Sequence, residues 1–256
     1  MAFRGKVALV TGGGSGMGQL AATRLAQRGA KVAALDVNEE GLAATAGAHE
    51  NVTTFVCDVS DAERVQQVVK QIEADLGPID RTMAAAAIMP TGLLAEMDAD
   101  LIRKIVEVDY LGVVNTVKAT LPGMLERRRG DMVIFASLMG YLPTMYLGAY
   151  CAAKAAVVAF AEILYHENRD SGIRFALVAP PNVETPLLNQ VTSPMKTLHD
   201  KRTPEPLTPA QVINAIEASL EKGEFLCAPG AARASIKARR FIPNAIWKNM
   251  HKIEGF

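Results

Sequence analysis

Apolar residues along this chain follow two rhythms. Short, nearly unbroken apolar runs, of the kind that fill strands covered on both faces, occur at 6–10, 31–35, 52–57, 132–136, 173–179 and 225–228. Between them the apolar positions recur every third or fourth residue, as on one face of a helix. Leu20, Ala21, Leu25 and Ala26 form one such stripe, and Val65, Val68, Val69 and Ile72 a second. Ile105, Val108, Val113, Val117 and Leu121 run through a long helix predicted over 101–129. Val157, Val158, Phe160, Ala161, Ile163 and Leu164 form a broad face, and Val212, Ile213, Ile216 and Leu220 a further stripe. Strand and helix signals alternate from end to end. That predicts one α/β domain over 1–256, a doubly wound parallel sheet with helices on both faces.

Local signals set the boundaries. Gly29 stops the first helix. Ser60 caps the next, with Glu63 completing a capping box. Gly77-Pro78 ends that helix, and Ile79-Asp80 opens a fourth strand. Pro122 is expected to kink the long helix or start a new turn. Thr208 caps the helix that carries Val212.

Composition changes this picture little. The 256 residues suffice for one large core. Lys+Arg and Asp+Glu are equal at 27 each, so charge gives no argument for a nucleic-acid partner. Cys57, Cys151 and Cys227 stand far apart, which suggests neither a disulfide framework nor a zinc site. His49, His166, His199 and His251 are scattered, and no metal is expected. No apolar leader with a cleavage site opens the chain, and no run of about 18 uncharged apolar residues is seen. The expectation is a cytoplasmic protein without a membrane span.

Two stretches carry chemistry. After the first strand comes Thr11-Gly12-Gly13-Gly14-Ser15-Gly16-Met17-Gly18, then a helix. Glycines let a backbone approach a pyrophosphate, and a helix start offers free N–H groups and a positive dipole end. Asp36 ends the second strand, where a carboxylate can accept from ribose hydroxyls and repel a 2′-phosphate. Val37 follows it in place of an arginine, so NAD is favoured over NADP. The second stretch holds Ser137 at the end of a strand-like run, then a ten-residue loop beginning at Tyr141, with Tyr150 and Lys154 four residues apart. On a helix that spacing sets phenol and ammonium one turn apart. The ammonium is expected to draw the phenol's pKa down, which suits proton exchange with an alcohol.

The glycine loop, Asp36, Asp58, Ser137, Tyr150, Lys154 and Thr185, in this order and spacing, resemble the short-chain dehydrogenases/reductases over roughly residues 5–230. The resemblance implies a Rossmann fold and NAD-dependent interconversion of a secondary alcohol and a ketone. It implies Tyr150 as acid/base, Ser137 orienting the substrate oxygen, and Lys154 holding the nicotinamide ribose. It places Gly12, Gly14, Ser15, Gly16, Met17, Gly18, Asp36, Asp58, Val59, Ala85, Val183 and Thr185 at the cofactor, besides Tyr150 and Lys154. It implies a homodimer or homotetramer and a substrate lid over about 185–209. Three departures stand out. Ala84-Ala85-Ala86-Ala87 occupies the place of the family's Asn-Asn-Ala-Gly, so side-chain ties between strands are expected to be lost. Asp109 stands where an asparagine usually serves a helix kink and a water chain to the lysine, and Pro181 replaces a glycine. These leave two alternatives open: a non-catalytic nucleotide-binding protein, and an epimerase or lyase using the same pocket.

Met89, Leu138, Met139, Leu142, Met145, Leu187, Leu188 and Met195 are placed near the pocket by resemblance, so a bulky hydrophobic small molecule is the expected substrate. The tail over about 231–256 lies beyond the family core. It carries six basic residues and one acid, Glu254, with Ile242, Ile246, Met250 and Ile253 at helical spacing and Trp247 alongside. Pro243 is expected to divide it into two helices. Such a segment packs on its own protein or a partner subunit, or lies on an anionic membrane surface.

Overall fold

The structure is a computed structural model and describes residues 3, 5–198, 200 and 203–256. Its strands are β1 (Val7–Thr11), β2 (Lys31–Asp36), β3 (Val52–Val56), β4 (Arg81–Ala84), β5 (Gly130–Phe135), β6 (Ile173–Val178) and β7 (Leu226–Cys227). Its helices are α1 (Gly16–Ala26), α2 (Glu39–Gly47), α3 (Ala62–Asp75), α4 (Ala99–Val106), α5 (Gly112–Arg127), α6 (Gly148–Glu167), α7 (Pro209–Lys222), α8 (Ala232–Phe241) and α9 (Pro243–Glu254). All strand pairs are parallel, in the order β3-β2-β1-β4-β5-β6-β7. This is the doubly wound α/β sheet.

Successive strand residues point to opposite faces. In β1, Val7 and Leu9 pack into one core with α3, α5 and α6, while Ala8 and Val10 join the other with α1, α2 and α7. Each face therefore needs its own apolar set, which is why the strands read as unbroken runs. The order reverses at β1, which lies between β2 and β4. Loops leave β1 and β4 in opposite directions there and open the crevice where ligands bind in such sheets.

Several boundaries differ from expectation. Asp61, not Ser60, caps α3, its carboxylate accepting from the Arg64 N–H at 2.9 Å. Ser60 is taken up by Asp58, which accepts from its N–H at 2.9 Å and its hydroxyl at 2.6 Å, so the helix starts one residue later. Pro122 lies inside α5, which runs on to Arg127. The interruption comes earlier, as a π-helical turn at Glu107–Leu111 between α4 and α5. The loop before Tyr150 is shorter than expected, since α6 begins at Gly148. Helix α2 had no sequence signal, because Leu42 is its only large apolar residue. By length and composition alone α6 is apolar enough to cross a membrane, although Lys154 and Glu162 leave it no run of 18 uncharged residues. Here its Ala153, Val157 and Ala161 are buried inside the fold.

Charges occupy the end of the sheet away from the crevice. Arg81 in β4 is fully buried and pairs with Asp131 of β5 at 2.7 Å and Glu217 of α7 at 2.6 Å. Arg174 of β6 takes the other oxygen of Asp131, also at 2.7 Å.

Candidate active site

The glycine loop forms the floor of a groove. Gly12 and Gly16 adopt positive φ, 69° and 52°, which glycine takes without strain. Gly18 opens the first turn of α1 against the loop, and a Cβ there would sit 2.1 Å from the Gly12 carbonyl oxygen. The loop thus needs glycine at these positions. Asp36, at the tip of β2, accepts from the Gly14 N–H at 2.9 Å and the Asn38 N–H at 3.0 Å. Gly12, Ser15, Gly16, Met17, Gly18, Asp36, Asp58, Val59, Ala85 and Thr185 all line this groove, whose volume is about 330 Å³. Gly14 contributes backbone behind Asp36, and Val183 lines the pocket next to it.

The alanine stretch is held without asparagines. The Thr11 hydroxyl accepts from the Ala85 and Ala86 N–H groups at 3.0 and 3.2 Å. Asp109 accepts from the Ile88 N–H at 2.8 Å. The expected loss of ties is therefore made good by a threonine on β1 and by the carboxylate that departs from the family pattern. Two groove residues had no sequence signal. Lys104 on α4 pairs with Asp58 at 3.1 Å, and the Gln190 side chain accepts from the Met89 N–H at 2.7 Å. Burial acts to raise the Asp58 pKa, but hydrogen bonds from Ser60 and Lys104 outweigh it and leave the carboxyl below its usual value.

Tyr150 and Lys154 share one face of α6, and Ser137 follows β5 at the same end of the sheet. The Ser137 hydroxyl lies near the Tyr150 hydroxyl and favours its ionised form. Lys154 Nζ lies 5.6 Å from the centre of the Tyr150 ring and donates to the Phe135 carbonyl at 3.3 Å. It also pairs with Asp109 at 3.2 Å, with both side chains almost wholly buried. This pairing corrects the expectation that Lys154 lowers the tyrosine pKa. Burial pushes the phenol above its usual value, the Asp109 carboxylate adds to the rise, and the Ser137 hydroxyl only partly opposes it. Burial likewise raises the Asp109 carboxyl, against the pull of Lys154 and the Ile88 N–H.

Ser137 and Tyr150 line a pocket of about 70 Å³ between two larger spaces. It shares Met17, Thr185 and Leu187 with the groove. It shares Met139, Leu147, Pro181 and Asn182 with an apolar chamber of about 390 Å³ on the far side. Of the residues placed near the pocket, Met89, Leu187 and Leu188 line the small pocket, Leu138, Leu142 and Met195 the chamber, and Met139 both. Met145 instead lines a separate surface cavity with Trp247 and Phe256. Among the described residues no group of three or more His, Cys, Asp and Glu could hold a metal ion, and His199 lies outside them.

A family model described as short chain dehydrogenase matches residues 6–196. The chain belongs to the short-chain dehydrogenases. It is 35% identical over 231 residues, 87% of its length, to the glycine betaine reductase ATRR of Emericella nidulans, but spans only 18% of that protein. To epidermal retinol dehydrogenase 2 of Mus musculus it is 31% identical over 234 residues, covering 88% of this chain and 74% of the relative. A short chain dehydrogenase/reductase from Burkholderia phymatum, solved in complex with NAD, superposes with a TM-score of 0.85 at 26% identity, covering 94% of each chain.

Proposed function

We propose that this short-chain dehydrogenase uses NAD(H) to interconvert a secondary alcohol and a ketone on a hydrophobic small molecule. One observation carries the reading. Ser137 and Tyr150 line a small pocket that shares walls with a glycine-floored groove on one side and an apolar chamber on the other. A hydroxyl pair at such a junction meets a carbonyl whose apolar body fills the chamber and whose reacting carbon faces the groove.

The groove fits a dinucleotide: its glycines leave room for a pyrophosphate, and among the described residues Asp36 has no basic partner at the ribose end. The exposed Val37 beside it offers no charge to a 2′-phosphate, which supports NAD over NADP. When bound, the nicotinamide supplies or accepts the hydride. The chain's own residues do the rest. Ser137 donates a hydrogen bond to the substrate oxygen and orients it. Tyr150 gives its proton to that oxygen in reduction and takes it back in oxidation. Lys154 sits behind Tyr150 with Asp109, which sets how much of its charge the phenol feels. Thr185 and Val183 border the nicotinamide end, and apolar walls exclude water.

The cytoplasm and a homodimer or homotetramer remain our reading of setting and assembly, the latter supported by the exposed Ile163 on α6 and Leu111 before α5. The test of function is a panel of ketones and secondary alcohols of rising chain length, followed by NADH absorbance. Turnover on apolar members supports the reading. Stoichiometric NADH binding without turnover on any member refutes it in favour of a binding protein, and a retained cofactor without net redox change favours an epimerase or lyase.

A further inference from the structure

The tail beyond the family core forms two helices, α8 and α9, divided at Pro243. Its apolar stripe borders an internal space, although Ile242 at its start is 54% exposed. Ile242, Ile246, Met250 and Ile253 form one wall of the 390 Å³ chamber whose opposite wall includes Leu138, Met139 and Leu142. Two of the basic residues are used elsewhere: Arg233 pairs with Glu224 at 3.1 Å and Arg239 lies over the Trp247 ring at 5.7 Å.

The tail's single acid is the exception. Glu254 ends α9, yet its side chain is 4% exposed, in a helix whose other residues are at least partly open to solvent. Its two carboxylate oxygens accept from consecutive backbone N–H groups, Lys196 at 3.0 Å and Thr197 at 2.8 Å. The Lys196 ammonium donates in return to the Glu254 carbonyl at 3.1 Å. Thr197 holds the next stretch by accepting from the Thr203 hydroxyl at 2.7 Å. Met195, next to this pair, is buried and lines the chamber, as do Thr197 and Thr203. Burial alone would raise the Glu254 carboxyl, but the hydrogen bonds from Thr197 and Lys196 hold it below its usual value, so it is ionised at neutral pH.

We propose that Glu254 is a latch that fastens the C-terminal helix to the segment around Lys196 and Thr197, and that this latch sets the affinity for substrates long enough to reach the far end of the chamber. The inference rests on the reading of the chamber as the substrate site. Two walls of one apolar space, α9 and the Met195–Thr197 stretch, are tied by a buried carboxylate taking two backbone donors, beside the bond from the Lys196 ammonium to the Glu254 carbonyl. Without it, two N–H groups and an apolar seam face each other unpaired. Short substrates contact only Ser137, Tyr150 and the near walls, so they do not sense the latch. Glu254 is a positioning residue and touches neither hydride nor proton transfer.

The test compares wild type, Glu254→Ala and Glu254→Gln on 2-alkanones from four to twelve carbons with NADH, together with calorimetric binding of 2-dodecanol to each protein. For Glu254→Ala the expected result is a KM raised about tenfold or more for 2-dodecanone, in line with two lost charge-assisted hydrogen bonds. KM for 2-butanone, kcat for both and NADH affinity stay unchanged. Glu254→Gln, which keeps an acceptor oxygen but not the charge, falls between. 2-Dodecanol binding weakens in the same order. If the ketones are not turned over but 2-dodecanol still binds with this dependence on Glu254, the proposed function fails and the latch stands. The latch is overturned if KM shifts equally along the series, if long-chain KM and binding do not change, or if wild type does not bind 2-dodecanol.

Discussion

Replacing Asp109 by asparagine removes one negative charge from the most buried ionic pair in the site and leaves the shape nearly unchanged. The asparagine oxygen still accepts from the Ile88 N–H, so the alanine stretch stays pinned. What changes is the field at Tyr150. In the native protein the Asp109 carboxylate, 3.2 Å from Lys154 Nζ, offsets the ammonium and itself disfavours a phenolate. With the carboxylate gone, the ammonium acts alone on the ring, whose centre is 5.6 Å away. At an effective dielectric of about 20, a unit charge at that distance contributes about 3 kcal/mol, or about two pH units, as an upper bound. Oxidation needs the phenolate as base, so its rate rises with pH through the tyrosine pKa. Reduction needs the phenol, so its rate falls through the same pKa. Both limbs should move to lower pH in Asp109→Asn, by about one to two units. Breaking one side of a buried pair also costs about 3–5 kcal/mol, a fall in Tm of at least about 6 °C. The assay is kcat against pH in both directions, beside a melting curve. Limbs that stay put, or that move to higher pH, refute the electrostatic reasoning.

Three other expectations can be checked separately. Catalytic efficiency should favour NAD(H) over NADP(H) by about tenfold or more, and Asp36→Ala combined with Val37→Arg should narrow or reverse the ratio; equal efficiencies in the native protein would contradict the role given to Asp36. Asp80 is buried and accepts from the Lys6 N–H at 2.6 Å and from Arg129 at 2.7 Å; burial opposes but does not outweigh these bonds, and its pKa is lowered. Its contribution is therefore present above the unfolded value of about 4 and lost as pH falls through the folded value. In denaturant melts Asp80→Asn should be less stable than wild type at pH 7, with the gap closing below about pH 4; a gap independent of pH would contradict this.

The fold was legible because the strands are covered on both faces, so each had to be an apolar run, and because the glycine loop sits between a strand and a helix. The site's membership was legible in the spacing of Ser137, Tyr150 and Lys154. Its electrostatics were not. Spacing along α6 says that Lys154 lies near Tyr150, but the partner that offsets it, Asp109, comes from the π-helical turn before α5, and only tertiary packing brings the two together. The alanine stretch misled for the same reason, since its replacement partners lie on β1 and in that turn. Lys104 and Gln190 gave no sequence signal. By contrast Arg81, Asp131 and Arg174 did leave a signal, as charges inside otherwise apolar strands, and the strand register pairs Arg81 with Asp131 and Asp131 with Arg174. Glu254 left one too, as the lone acid closing a basic tail, but its targets are backbone N–H groups that no side-chain pattern reveals.

The central claim is that Tyr150 moves the proton at the junction of groove and chamber. Tyr150→Phe tests it most directly, because the ring that fills the buried site is kept and only the hydroxyl is lost. NADH affinity, read by fluorescence, should match wild type, while kcat on the best ketone from the panel should fall by about 10² to 10⁴. A variant that keeps more than about a tenth of the wild-type kcat would contradict the account, because proton transfer would then not depend on this hydroxyl.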